Sequence, residues 1–274
     1  MTETSGRLPT ITVGLATLDR YPYVATLLDD LAAQTHLPDE VVIVDQTAPH
    51  KRQPIPTTRW SHAFPVRVVH QETRGTTKAR NQLLRECRSD IVLQADDDSR
   101  IDPDYVENHV RHFVDERVDA VTGPVYEWDA GSHEWYVKWH NHLMTGGWNG
   151  PAFPSALCLV GTNFSIRLKS ALAIGGWDEN ILTHGEDEDF SDRLHSADAG
   201  IVFDPTLACA TSGRRGEGNV RPSGAADRMA TGECSLATCT TTWQTGPHMT
   251  LGRCSSNTRS APSGTSSTVA QRSA

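Results

Sequence analysis

Asp90-Ile91-Val92-Leu93-Gln94-Ala95-Asp96-Asp97-Asp98-Ser99 decides how the rest of the chain reads. It passes from a short apolar run straight into three carboxylates. Asp90 to Ala95 has the length and branched content of a strand covered on both faces, the pattern of a parallel sheet. Three adjacent carboxylates repel one another unless a cation sits among them. Hard oxygen donors suit Mg²⁺ or Mn²⁺, ions usually shared with a substrate phosphate. A solvated acidic turn accounts for the same residues on local grounds. A calcium loop does not. Asp96, Asp98 and Glu107 fall at ligand positions of an EF-hand, but Arg100 and Ile101 stand where a ligand and the turn glycine are required.

Working outward, Ile11 to Ala16, Glu40 to Asp45 and Val66 to His70 read as strands of the same buried kind. A fifth is expected at Ala120 to Tyr126, another at Leu157 to Ser165, and a short one at Ile201 to Asp204. Helical spacing lies between them. Val24, Leu27, Leu28 and Leu31 line one face behind Pro22. Ala79, Leu83, Leu84 and Cys87 line a second helix, and Val106, Val110, Phe113 and Val114 a third. Gly175-Gly176 is a break, and Asp187 to Ser196 reads as helix. Strands alternating with helices specify an α/β fold, a mostly parallel central sheet flanked by helices on both faces. In such sheets ligands bind at the carboxyl ends of the strands. Thr17, Asp19, Asp45 and Asp96 to Asp98 all fall there, so they point to one crevice.

Two further motifs carry chemistry. Gly185-Glu186-Asp187-Glu188-Asp189-Phe190 leads into the last helix. Capping and the helix dipole favour one or two acids at such a place, not four. A carboxylate there could take a proton from a hydroxyl. Arg74-Gly75-Thr76-Thr77-Lys78-Ala79-Arg80-Asn81 opens the second helix, where Arg80 could meet a base or a phosphate. A solvated basic helix start is the plain alternative. His133, His140 and His142, near Trp135, Trp139 and Trp148, fit a pocket lining or simple packing rather than a metal site. No G-x-G-x-x-G follows the first strand, and there is no Walker A loop and no G-x-S-x-G elbow.

Composition narrows the class. The chain has 274 residues and a formal net charge of -9, which gives no electrostatic reason to bind nucleic acid. No apolar run of about 18 residues appears, so no spanning helix is expected, although peripheral membrane contact needs none. The polar start lacks the apolar core of a signal peptide, so the cytoplasm is the expected location. Of Cys87, Cys158, Cys209, Cys234, Cys239 and Cys254, the first three sit in apolar contexts and read as buried free thiols. Residues 211–274 hold only seven of Val, Ile, Leu, Met, Phe, Trp and Tyr. They carry seven Arg and no Lys against three acids, about +4, which leaves about -13 for residues 1–210. So little apolar surface cannot offset the entropy of ordering, so a disordered or loosely attached tail is expected. A reading-frame change would give the same break; an intact frame through codon 211 on resequencing would exclude it.

Taken together, the chain resembles the family 2 glycosyltransferases of the GT-A fold. The likeness is carried by Ile11 to Thr17 with Asp19-Arg20, Val42 to Asp45, Arg74-Gly75 with Ala79-Arg80-Asn81, and Asp96-Asp97-Asp98. It continues through Gly161 to Ser165 and Gly175-Gly176-Trp177-Asp178-Glu179 to Gly185-Glu186-Asp187 and Arg193-Leu194. The resemblance covers roughly residues 10–210, with a donor half at about 10–126 and an acceptor half at about 127–210. It implies an inverting transfer from a UDP, GDP or dTDP type of sugar donor to a glycan, lipid-linked or small-molecule hydroxyl. It implies that Asp45 binds the base, with Thr17, Asp19 and Arg80 nearby. It gives Asp97 and Asp96 to the ribose or diphosphate, and Asp98 to a divalent metal, Mn²⁺ or Mg²⁺, with Asp96 in support. Asp187 becomes the general base, helped by Glu186, and Trp177, Asp178 and Glu179 border the acceptor. The chain departs from the family after Cys209, where only His248 follows. That departure supports an alternative, a protein that binds nucleotide sugar with impaired transfer. A nucleotidyltransferase is a weaker alternative, since Ala16 to Arg20 lacks the Gly-rich first loop.

Overall fold

The computed structural model describes residues 8–129, 134–137, 158–182, 184–204 and 206–211. Most of the Trp- and His-rich stretch expected to border a pocket lies outside these residues, as do residues 212–274 and with them the expected tail.

The apolar runs become the centre of a seven-stranded sheet. β1 (Ile11–Thr17), β2 (Glu40–Asp45) and β4 (Ile91–Asp96) are almost wholly buried, and β3 (Val66–His70) is the half-buried edge. The strands β6 (Ala120–Thr122), β9 (Asn163–Arg167) and β10 (Ile201–Phe203) complete it, in the order β10-β6-β9-β4-β1-β2-β3. All neighbours pair in parallel except β9, which runs antiparallel to both β4 and β6. The expected α/β fold is therefore present. A strand expected from Leu157 starts instead at Asn163, because residues 161 and 162 form a turn ahead of it.

Alternation along the strands sorts the two faces. Ile11, Val13, Leu15, Val41, Ile43, Ile91 and Leu93 pack against α1 (Tyr21–Ala32) and α3 (Tyr105–Val110). On the opposite face Val42 and Val44 meet α2 (Thr76–Glu86) through Ala79 and Leu83. Val92 and Ile166 meet α4 (Leu168–Ala173) and α5 (Glu186–Ser196) through Ala171, Phe190 and Leu194. Gly14 lets α2 come close: a Cβ there would lie 3.2 Å from the Leu83 methyls.

The run expected as one strand at Ala120 to Tyr126 is two. β6 ends at Thr122, and β7 (Val125–Asp129) enters a second sheet of order β5-β11-β7-β8, with β5 (Ser99–Ile101), β8 (Glu134–Val137) and β11 (Cys209–Thr211). The break has a local cause. Pro124 has no N–H for a ladder, and a Cβ at Gly123 would sit 2.0 Å from the Leu207 carbonyl. Apolarity alone does not reveal that switch.

Behind the site, Asn163 ties several segments together. Its amide donates to the Pro124 and Leu207 carbonyls at 2.9 and 2.7 Å, and its oxygen accepts from Tyr105 at 2.8 Å. His109 lies 3.2 Å from the same oxygen and 2.8 Å from Ser165 Oγ. Burial pushes the His109 imidazole down to about 3, so it stays neutral in this network. Cys87 and Cys209 are buried free thiols as expected. Cys158 is only part-buried, yet burial still pushes its thiol up to about 12.

Candidate active site

Register places the polar strand ends in one row. Asp45 pairs with Thr17 across β2 and β1, and Asp96 pairs with Ala16 across β4 and β1. Asp45 is fully buried and accepts from Tyr21 Oη at 3.0 Å and from the Thr47 N–H at 2.8 Å, with His70 Nδ1 at 3.4 Å. Asp19 stands in the left-handed region at φ 59°, its N–H donating to Thr47 Oγ1 at 2.9 Å and its carboxylate 3.7 Å from Lys51. The β1–α1 connection is thus held against β2, where the sequence suggested a crevice.

The three adjacent carboxylates take three different partners. Asp96 accepts from Thr162 Oγ1 at 2.7 Å. Asp97 accepts from Thr17 Oγ1 at 2.8 Å and pairs with Arg20 at 3.0 Å. Asp98 pairs with the other arm of the same guanidinium at 2.6 Å. Burial pushes Asp97 up to about 7; Arg20 and Thr17 pull it down, while Asp98 and Asp96 push it up again. The cation that the acidic cluster calls for is therefore present inside the chain, at the start of α1. Sequence reasoning quoted Arg20 and gave it no role. A usable signal existed: if β1 and β4 are neighbours, the residues just after each strand must meet.

A second group of carboxylates sits at the start of α5. Asp187 lies in the first turn of α5, behind Gly185 at φ 94°. Its Oδ1 accepts from Arg80 Nη1 at 2.9 Å, and its Oδ2 accepts from the Gly161 N–H at 2.8 Å. Arg80 also reaches Glu186 at 3.5 Å. Its guanidinium carbon lies 4.4 Å from the centroid of Trp177, which stacks on Phe190 at 4.1 Å. Both Arg80 and Trp177 are buried, so the ring supports the guanidinium from below. Asn81 holds the next turn, exchanging hydrogen bonds with the Trp177 backbone at 2.8 and 2.9 Å and donating to Glu179 at 2.9 Å. Asp178 is half-buried and accepts from the Asn180 N–H and side-chain amide at 2.9 and 2.8 Å.

Residues 161 and 162 join the two groups. The Gly161 N–H holds Asp187, the Gly161 carbonyl accepts from Gln94 at 2.9 Å, and the Thr162 hydroxyl holds Asp96. A side chain at 161 would displace the ion pair beside it. A Cβ would meet Arg80 Nη2 at 1.9 Å and Asp187 Oδ1 at 2.8 Å. Gly161→Ala should cost about 1–3 kcal/mol, as overpacking of a filled site does. In a chain of this size that lowers the midpoint of thermal unfolding by roughly 2–10 °C. An unchanged midpoint would mean that Arg80 swings clear at no cost.

Residues 12–174 match the sequence profile described as glycosyl transferase family 2. The chain belongs to that family. Two relatives from Bacillus subtilis strain 168 share the likeness. The uncharacterized glycosyltransferase YwdF is 28% identical over 104 residues, 38% of this chain and 38% of that protein. The putative glycosyltransferase EpsH is 28% identical over 108 residues, 39% of this chain and 31% of its own length. Among solved structures, the mannosyltransferase PcManGT of Pyrobaculum calidifontis, in complex with GDP-Man and Mn²⁺, superposes with a TM-score of 0.57 at 20% identity. That match covers 76% of this chain and 58% of the other. GalNAc-T7 with UDP, GalNAc and Mn²⁺ gives a TM-score of 0.60 at 14% identity, over 77% of this chain and 45% of that one. At such identities the structures speak for the fold alone, and the fold is the GT-A arrangement expected of family 2. The chain spans about a third of the length of the two Bacillus relatives, 38% of one and 31% of the other. Among the described residues, no helix of this family 2 chain is long and apolar enough to cross a membrane.

Proposed function

We propose that this family 2 chain transfers a sugar from a UDP, GDP or dTDP type of donor to an acceptor hydroxyl, with inversion and with help from Mn²⁺ or Mg²⁺. One observation carries the reading. Gly161 and Thr162 link the carboxylate row at the strand ends, through Asp96, to a second, partly exposed carboxylate, Asp187. A donor fits the first group and an attacking hydroxyl the second.

On this reading Asp45 receives the base, with Thr17 and Asp19 beside it, and Asp96 and Asp97 face the ribose and diphosphate. Arg80 braces Asp187 and Glu186 from the floor between the two groups. Asp187 takes the proton of the acceptor hydroxyl as it attacks the anomeric carbon. One displacement inverts that carbon. The acceptor passes over the Trp177 turn and is bordered by Asp178 and Glu179.

The residues present fit a divalent metal. Asp97 and Asp98 already converge on one positive charge, that of Arg20, and carboxylate oxygens suit Mn²⁺ or Mg²⁺. Asp98 is the proposed ligand, with Asp96 in support. Among the described residues no three acidic, His or Cys side chains converge as a metal site, so donor phosphate and water would complete the shell. When bound, the metal offsets charge on the leaving diphosphate.

A thermal-shift panel of UDP, GDP and dTDP, each with Mn²⁺ and with chelator, tests the donor half. One nucleotide should raise the midpoint with Mn²⁺ and lose most of that effect with chelator. No shift with any of the three would refute the donor assignment.

A further inference from the structure

Arg20 spends its fork in an unusual way. It does not clasp one carboxylate with both arms; it bridges two, Asp97 at 3.0 Å and Asp98 at 2.6 Å. The side chains of Asp97 and Asp98 are 4% and 12% exposed, while that of Arg20 is 41% exposed. The guanidinium is therefore the most solvent-exposed member of this trio. Its backbone is fixed: the Arg20 carbonyl accepts from the Tyr23 and Val24 N–H groups at 3.0 and 3.3 Å as α1 begins. The side chain is fixed less firmly, by these ion pairs and by the Tyr23 ring, whose centroid lies 4.8 Å from the guanidinium carbon. The result is an anchored base with an arm that can swing.

We propose that Arg20 is an internal counter-cation that gives up Asp97 and Asp98 only when a metal and a diphosphate arrive together, and then turns to the diphosphate. This rests on the donor site assigned above. The logic is one of charge. A divalent cation entering alone must displace a guanidinium that finds no new partner, or else share two carboxylates with it against like-charge repulsion. A diphosphate entering alone meets Arg20 but also an acidic row. Entering together, the metal takes Asp98 and offsets the charge beside Asp97, and the phosphate oxygens take the freed guanidinium, whose donors match them. Metal and nucleotide then assist each other's binding, and the assistance is reciprocal.

Titrations of the full chain with Mn²⁺ alone, read by the electron paramagnetic resonance of free Mn²⁺, test this in the parent, Arg20→Met and Arg20→Lys. Calorimetric titrations with UDP and GDP at saturating Mn²⁺ complete the set. Arg20→Met should bind Mn²⁺ alone about tenfold more tightly than the parent, yet bind the diphosphate about tenfold more weakly. Arg20→Lys, which keeps the charge without the fork, should fall between. Mn²⁺ affinity unchanged or weaker in Arg20→Met would overturn the proposal. If circular dichroism shows Arg20→Met to be unfolded, Arg20→Gln carries the same comparison. Asp98→Ala, run in parallel, separates the two readings. Should it leave Mn²⁺ and diphosphate binding intact, the donor site itself is misassigned. Should it abolish Mn²⁺ binding while Arg20→Met fails to tighten it, only the role of Arg20 falls.

Discussion

Asp187→Asn is expected to lower turnover by about 10²–10⁴-fold, the usual contribution of a positioned general base, while donor affinity stays near the parent value. An amide cannot accept the hydroxyl proton, so the chemical step is lost. The donor-side contacts of Asp45, Thr17, Asp97 and Asp98 do not pass through Asp187. A structural cost accompanies the kinetic one. Asp187 accepts on both oxygens, from Arg80 and from the Gly161 N–H, and an asparagine offers only one oxygen. Whichever way the amide turns, one buried donor faces an NH₂ group, which costs about 1–3 kcal/mol. Glu186 remains as an acceptor for Arg80, so the fold should survive with a lower melting temperature. Steady-state transfer kinetics beside calorimetric donor binding separate these effects. Near-normal turnover would remove Asp187 as the base. Loss of donor affinity together with turnover would mean that Asp187 acts by placing Arg80. A parent protein that binds donor but transfers nothing would favour the binding-only alternative.

The acids of both halves of the candidate site were legible in the sequence; the contacts that hold them were not. Asp45 and Asp96 to Asp98 stood out because each ends a strand apolar enough to be recognised by itself. Glu186 and Asp187 stood out because four acids exceed what a helix start requires. Their partners did not stand out. Thr17 and Asp97 are 80 positions apart, and Asp187 and Gly161 are 26 apart, so nothing periodic links them. They meet because β4 lies beside β1 and β9 lies beside β4, an order that strand patterns do not encode. Trp177 illustrates the same limit. Expected at the acceptor border, it lies buried, with Phe190 stacked against it and Arg80 over its ring. The switch at Gly123-Pro124 was written as a glycine and a proline within an apolar run. It became readable only once the Leu207 carbonyl was seen to pass 2.0 Å from where a side chain would begin.

Asp98→Ala should remove the metal dependence of donor binding, so that the affinity with Mn²⁺ falls to that measured with chelator. The argument is one of which carboxylate can be spared. Asp96 is committed to Thr162, and that bond fixes the stretch that also holds Asp187. Asp97 is buried under Thr17 and Arg20 and pushed up to about 7 by that burial, so it binds a cation at a cost. Asp98 shares Arg20 but is the more exposed of the pair, and it can turn to an incoming cation without uncovering the core. Its loss leaves Arg20 on Asp97 alone and removes the carboxylate proposed to take the metal. A metal supplies several kcal/mol of stabilisation to a leaving diphosphate, so transfer should fall by about 10²–10⁴-fold. Paired titrations of the parent and Asp98→Ala with UDP or GDP, in Mn²⁺ and in chelator, give the result directly. A variant whose affinity still rises with Mn²⁺ would remove Asp98 as the ligand and, with it, the donor-site assignment. It would also remove the premise that the more exposed of the two acids held by Arg20 is the one that binds.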